Sequence, residues 1–150
     1  MLVNPVVSPQ DALVAIMLTT SAADERLSTI ELLSITRIID HLPAFQDYEH
    51  ERIRMVSGWV FEMMEVDDGL DAIIGLAKDA LPDGFNETAY ALACDVAAAD
   101  GSVPMTESHW LQILRQELAV GRLPAAAIER AARARHLRLP GQEPGQPAQG

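Results

Sequence analysis

The chain has 150 residues, with 22 Asp and Glu against 11 Lys and Arg, for a formal net charge of −11. A charge of that sign repels phosphate backbones and anionic lipid headgroups, which argues against nucleic acid and membrane surfaces as partners. Hydrophobic residues at 49% and charged residues at 22% describe a folded chain with a sizeable core rather than a disordered one.

The single cysteine, Cys94, leaves no means of building an intrachain disulfide or a multi-thiolate zinc site. The uncharged run from Ala12 to Ala23 falls short of the roughly 20 apolar residues a membrane-spanning helix needs. The expectation is a cytoplasmic protein, monomeric or a small homo-oligomer, with no direct membrane insertion.

Alanine, leucine and isoleucine recur at helical spacing and β-branched alternation is nearly absent, so the predicted fold is all-α, a compact bundle of about seven helices. Ser8 caps the first helix, Pro9 fits its first position, and the Asp11 carboxylate is placed to reach back to a free amide; this helix runs to about Ala23. Ser28-Thr29-Ile30-Glu31 is a second capping box, and Leu32, Ile35, Ile39 and Leu42 mark the buried stripe of helix two until Pro43 stops it. Helix three is predicted from Phe45 to Val66 and ends at Asp67-Asp68-Gly69; a short helix follows from Leu70 to Leu81. Asn86 is the expected cap of helix five, whose buried face is Ala89, Leu92, Ala93, Val96 and Ala97. Helix six is predicted from Met105 to Leu118 and helix seven from Pro124 to about Leu137. The helical domain thus covers residues 1–139, and residues 140–150 lack periodicity and read as a disordered tail.

A repeat appears at an offset of 76 residues. The stretch from Ala22 to Glu31 aligns with that from Ala98 to Glu107; Ile35, Ile38 and Leu42 align with Leu111, Leu114 and Leu118, and Asp11 with Glu87. Each copy reads as a helical hairpin whose small-residue helix end leads through a short loop into a capped second helix.

The second copy, Ala-Ala-Ala-Asp-Gly-Ser-Val-Pro-Met-Thr-Glu, resembles the signature of the TerB-like tellurite-resistance family at Asp100, Gly101, Val103 and Glu107. The first copy keeps Asp24, Leu27 and Glu31 but has Glu25 in place of the glycine. The resemblance spans residues from about Ser8 to about Leu137. It implies an all-helical bacterial protein of tellurite or general stress resistance, with acidic residues implicated in divalent-cation binding and no established enzymatic activity.

The pairs Asp24/Glu31 and Asp100/Glu107 are therefore the candidate metal residues, with calcium or another divalent cation as the ion. Two carboxylates per loop fall short of the six to eight oxygens calcium takes, and neither copy has the ligand spacing of an EF-hand. The same residues suit a local role, with each Glu reaching free amides at a helix start and each Asp binding loop amides; this local role is favoured. A second acidic cluster, Glu62, Glu65, Asp67, Asp68 and Asp71, opposes the dipole where helix three ends, inviting a cation or a basic partner, although a solvated turn is the simpler reading.

Histidines 41, 50, 109 and 136 show no zinc-ligand spacing, and no catalytic or nucleotide-binding fingerprint occurs. Cys94, beside Asp95, reads as a packed thiol. Residues 1–114 hold 5 basic and 19 acidic side chains, whereas residues 115–150 hold 6 and 3. The basic end, Arg115, Arg122, Arg130, Arg133, Arg135 and Arg138, is expected to dock on the acidic body, with an anion or partner contact as the second reading.

The leading expectation is a non-enzymatic TerB-like protein that binds a protein partner, with a basic surface or within a stress-response complex, and a divalent cation weakly. The alternative is an acidic interaction or scaffold domain that binds no metal. A small carboxylate-based hydrolase ranks third.

Overall fold

The computed structural model describes residues 8–22, 29–100 and 108–142, without the side chains of residues 29–31 and 100. Within them the chain forms seven α-helices and no strand: α1 (Pro9–Ala22), α2 (Thr29–His41), α3 (Glu51–Met64), α4 (Gly69–Ala80), α5 (Phe85–Asp100), α6 (His109–Glu117) and α7 (Arg122–Arg135). A 3-10 turn, Pro43–Phe45, joins α2 to the segment before α3.

The centre of the bundle is α1. Every residue from Asp11 to Ser21 is buried, so this helix has no solvent-facing side over most of its length. It packs against α2, α3, α4 and α5, while α5 in turn carries α2, α6 and α7. The uncharged run too short to span a membrane is thus the helix around which the others pack, and no described helix is long and apolar enough to cross one. Thr19 and Thr20 can lie inside because their hydroxyls donate to the Ala15 and Ile16 carbonyls, at 2.7 and 2.8 Å.

One charge enters this interior. Ser8 caps α1 as expected, its Oγ accepting from the Asp11 amide at 3.1 Å, and the Asp11 side chain is held mainly by residues far along the chain. Its Oδ1 accepts from the Tyr48 hydroxyl at 2.9 Å and from Arg52 Nε at 3.0 Å, and its Oδ2 pairs with the second prong of the same guanidinium. Burial pushes the Asp11 carboxyl up, but the Arg52 hydrogen bonds, the Tyr48 hydroxyl, the Arg52 charge and Ser8 together outweigh it and hold it below its ordinary value. Burial and the bond to Asp11 push the Tyr48 phenol upward.

Two predicted helix starts differ in the structure. Helix three begins at Glu51 rather than Phe45, because Phe45 and Tyr48 turn inward edge to face, with ring centroids 5.7 Å apart, and Asp47 takes a left-handed φ of 62°. Gln10 reinforces this clamp by donating to the Ala44 and Gln46 carbonyls, each at 3.0 Å. Helix seven begins at Arg122, two residues before Pro124.

Three smaller corrections concern caps. Asn86 does not cap α5; its side-chain amide crosses to the Leu118 carbonyl at 2.9 Å and ties α5 to the end of α6. Ser108, extended and accepting from the Leu111 amide at 3.2 Å, caps α6, which is shorter than the predicted span from Met105 to Leu118. Glu87, aligned with Asp11 in the repeat, is exposed where Asp11 is fully buried, so the repeat does not extend to this charge. Of the predicted tail, Gly141 and Gln142 close a turn with Leu139, and residues 143–150 lie outside the described part.

Two backbone positions are set by close geometry. Gly69 opens α4 beside the last turn of α3, where a β-carbon would overlap the Met63 carbonyl oxygen. Ala119 follows α6 at φ 55°, with its amide bonded to the Gln116 carbonyl and the Val120 amide to that of Arg115. This is the Schellman arrangement, with alanine where glycine is usual.

Asp11→Asn is expected to lower the unfolding free energy by about 1–3 kcal/mol through loss of charged hydrogen bonds. Arg52→Met, which leaves the buried carboxylate without its counter-charge, should cost more. Because the folded Asp11 carboxyl lies below its ordinary 3.8, the native protein keeps this contribution above that pH and loses it as pH falls through the folded value. In Arg52→Met burial dominates, the folded carboxyl moves above its unfolded value, and the variant's deficit should shrink on acidification; urea melts at pH 7 and pH 4.5 test the variant, and a further melt at pH 3 tests the native loss. Thermal melts should also show Gly69→Ala destabilising by about 1–3 kcal/mol through forced displacement, and Ala119→Gly stabilising by about 0.5–1 kcal/mol through relief of the left-handed alanine.

Candidate functional site

The residues singled out by the repeat fall largely outside the described structure. Asp24, Gly101 and Glu107 lie outside it altogether, and Glu31 and Asp100 lie in α2 and α5 with their side chains outside it. What the structure does place is their flanks. The Trp110 indole N–H, at the start of α6, donates to Thr20 Oγ1 near the end of α1, at 3.0 Å and away from solvent. The helix end that leads into residues 23–28 and the helix start that follows residues 101–107 therefore meet at one end of the bundle. The Leu111 amide at the start of α6 donates to Ser108 Oγ at 3.2 Å. At the same end Ser21 Oγ is buried with no hydrogen-bond partner among the described residues, and Arg138 donates to the Ala99 carbonyl at 3.2 Å, placing positive charge at the C-terminus of α5.

The basic C-terminal end docks on the body, as the charge division predicts, although through part of its arginines. Arg135 reaches Asp95 Oδ1 through Nε and its terminal nitrogen, at 3.2 and 2.6 Å, and His136 Nε2 lies 3.5 Å from the same oxygen. The Tyr90 hydroxyl donates to Glu129 Oε2 at 2.9 Å. Arg115 and Arg122, by contrast, have no carboxylate partner among the described residues and line a cleft between α5, α6 and α7. Tyr90, Asp95 and Glu129 carried no motif in the sequence. Their only signal was the spacing of Tyr90 and Cys94 on a helix that also buries Ala89, Ala93 and Val96.

Cys94 is completely buried between these groups, and burial pushes its thiol up to about 12. A thiol so placed is a packing residue rather than a nucleophile. Burial likewise pushes the Tyr90 phenol upward.

The second acidic cluster is a solvated turn. Glu62, Glu65, Asp67, Asp68 and Asp71 are all exposed between α3 and α4, with Asp71 in the first turn of α4, where its charge favours the helix. Three apolar side chains share that stretch in the open: Phe61 at 44%, Val66 at 45% and Leu70 at 37% exposure. His50 pairs with Asp40 at 2.7 Å, and His41 Nδ1 lies 2.7 Å from the Arg37 carbonyl. No group of three His, Cys, Asp or Glu side chains among the described residues is placed to hold a metal ion.

Comparison of the chain with protein-family models, with curated proteins and with solved structures finds no match.

Because the native thiol stays protonated well above neutral pH, Cys94 should be inert to Ellman's reagent at pH 8 in the folded protein and react fully in 6 M guanidinium. Rapid labelling of the native chain would contradict the burial described.

Proposed function

We propose that this chain is a non-enzymatic, TerB-like, cytoplasmic protein of tellurite or stress resistance that works by binding a basic protein partner, assisted by a divalent cation at its two Asp-loop-Glu segments. The observation that carries partner binding is the turn between α3 and α4. Five carboxylates and three large apolar side chains stand exposed in that turn and the helix ends flanking it, within eleven residues from Phe61 to Asp71. Carboxylates alone would keep a turn solvated, and apolar side chains alone are costly in water. The mixture fits a partner surface that offers Lys or Arg around an apolar patch, with charge steering the encounter and apolar burial retaining it.

The cation part of the reading rests on the resemblance at Asp100 and Glu107, with Asp24 and Glu31 next. The contact of Trp110 with Thr20 supports it, because it brings the flanks of both segments to one end of the molecule. The alternative, an acidic interaction domain that binds no metal, is favoured by the distribution of the exposed charge. The α3–α4 cluster offers a basic partner its carboxylates without requiring an ion.

A pull-down from the source cell in calcium and in chelator separates these readings. Partner capture should fall with added salt and be lost on the triple charge reversal Glu65→Lys, Asp67→Lys and Asp68→Lys, which touches only exposed side chains. Capture that survives the reversal would remove the α3–α4 turn from the account. If chelator leaves capture unchanged and calcorimetric titration with millimolar calcium gives no heat, the metal-free interaction domain stands in place of the cation reading.

A further inference from the structure

The cleft between α5, α6 and α7 has a volume of about 260 Å³ and a lining unlike the rest of this acidic chain. Leu111 and Ala125 form apolar wall, each 2% exposed, and Tyr90, also 2% exposed, brings its hydroxyl to the cleft from within the core. That hydroxyl donates to Glu129 Oε2 at 2.9 Å and so helps to orient the carboxylate. Arg115 and Gln112 of α6 and Arg122 and Ala126 of α7 also line it.

Arg115 and Arg122 are the two arginines that line this cleft together. Arg52 and Arg135 pair with Asp11 and Asp95, yet Arg115 and Arg122 face a shared cleft without a carboxylate partner among the described residues. Two guanidiniums on one cleft repel each other, and an anionic group between them would reverse that term. Their planar forks match carboxylate and phosphate oxygens in particular. Glu129 excludes a simple anion as the best ligand, since its own charge opposes one, but its carboxylate suits an ammonium group. The volume lies below the usual range for drug-sized ligands, so the occupant is small.

We propose that this cleft binds a small zwitterionic ligand, with its carboxylate or phosphate held by Arg115 and Arg122 and its ammonium group by Glu129. The site is separate from the Asp-loop-Glu segments and from the acidic α3–α4 turn, and it does not depend on their function.

The test is amide-shift titration of the full chain by nuclear magnetic resonance with four probes. Phosphoethanolamine and β-alanine carry an ammonium with a phosphate or a carboxylate; inorganic phosphate and acetate carry the anion alone. Saturable shifts are expected at Arg115, Arg122, Ala126 and Glu129, with one zwitterion bound about tenfold more tightly than its matching anion. Whether phosphoethanolamine or β-alanine is preferred identifies the anionic group. Arg115→Gln with Arg122→Gln should weaken binding by about ten- to a hundredfold. Glu129→Gln, which retains an acceptor for Tyr90, should remove the zwitterion's advantage without weakening inorganic phosphate. Thermal melts within a few degrees of the native chain confirm that these variants fold. The proposal is overturned if neither zwitterion gives saturable shifts at these residues, if the double variant binds as the native chain does, or if zwitterions bind no better than the matching anions.

Discussion

A single carboxylate decides how this bundle is assembled. Asp11 sits in the first turn of a helix that is otherwise uncharged and buried from there to Ser21. An ionised carboxylate in such a place is tolerated only with a counter-charge and filled hydrogen-bond sites. Arg52 and Tyr48 supply both, from residues some forty positions further along the chain. The consequence is geometric as well as energetic: α3 must present Arg52 to the start of α1, and the segment between α2 and α3 must bring Tyr48 inward. Gln10, Phe45 and the left-handed Asp47 follow from that requirement. A hydrophobic helix could rotate or slide among apolar neighbours at small cost, and the buried pair gives α1 one register relative to α3.

Local chemistry made much of the architecture legible. The Ser8-Pro9 start, the stop at Pro43, the punctuation at Asp67-Asp68-Gly69 and the apolar repeat of α5 all correspond to described helices, because each depends on residues within a turn of one another. What escaped was long-range. Asp11 has the composition of an ordinary first-turn carboxylate, and nothing near it in the chain discloses Arg52. Asn86 has the right character for a cap, yet the Leu118 carbonyl, over thirty residues away, takes its amide. Ala119 is an instance of a residue type giving no warning: alanine occupies the left-handed position, while Gly121, two residues on, has an ordinary extended conformation at the start of α7. Gly69 read as a helix terminator and is needed for close approach to α3 instead. Of the candidate site, the helices flanking the two segments were legible through the repeat, but their convergence rests on the contact of Trp110 with Thr20, which no spacing encodes.

Behind the net charge of −11 lie carboxylates with different physical roles. Asp11 and Asp95 are consumed in holding helices together, the first inside the core and the second where α7 docks. The carboxylates of the α3–α4 turn remain solvated and available. Against this background the positive charge of the C-terminal region is divided as well, between arginines that fasten α7 and Arg115 and Arg122, which face the α5–α6–α7 cleft. This division separates charges that fasten helices to one another from charges that remain exposed.

The central claim, that α1 is the locked interior of the molecule and the other helices are layers upon it, is most directly tested by native-state hydrogen exchange. Amides from Leu13 to Thr20 should exchange only through global unfolding, with opening free energies equal to that of the whole protein, while those of α7 open at lower cost. Exchange of the α1 amides as fast as those of α7 would contradict the account.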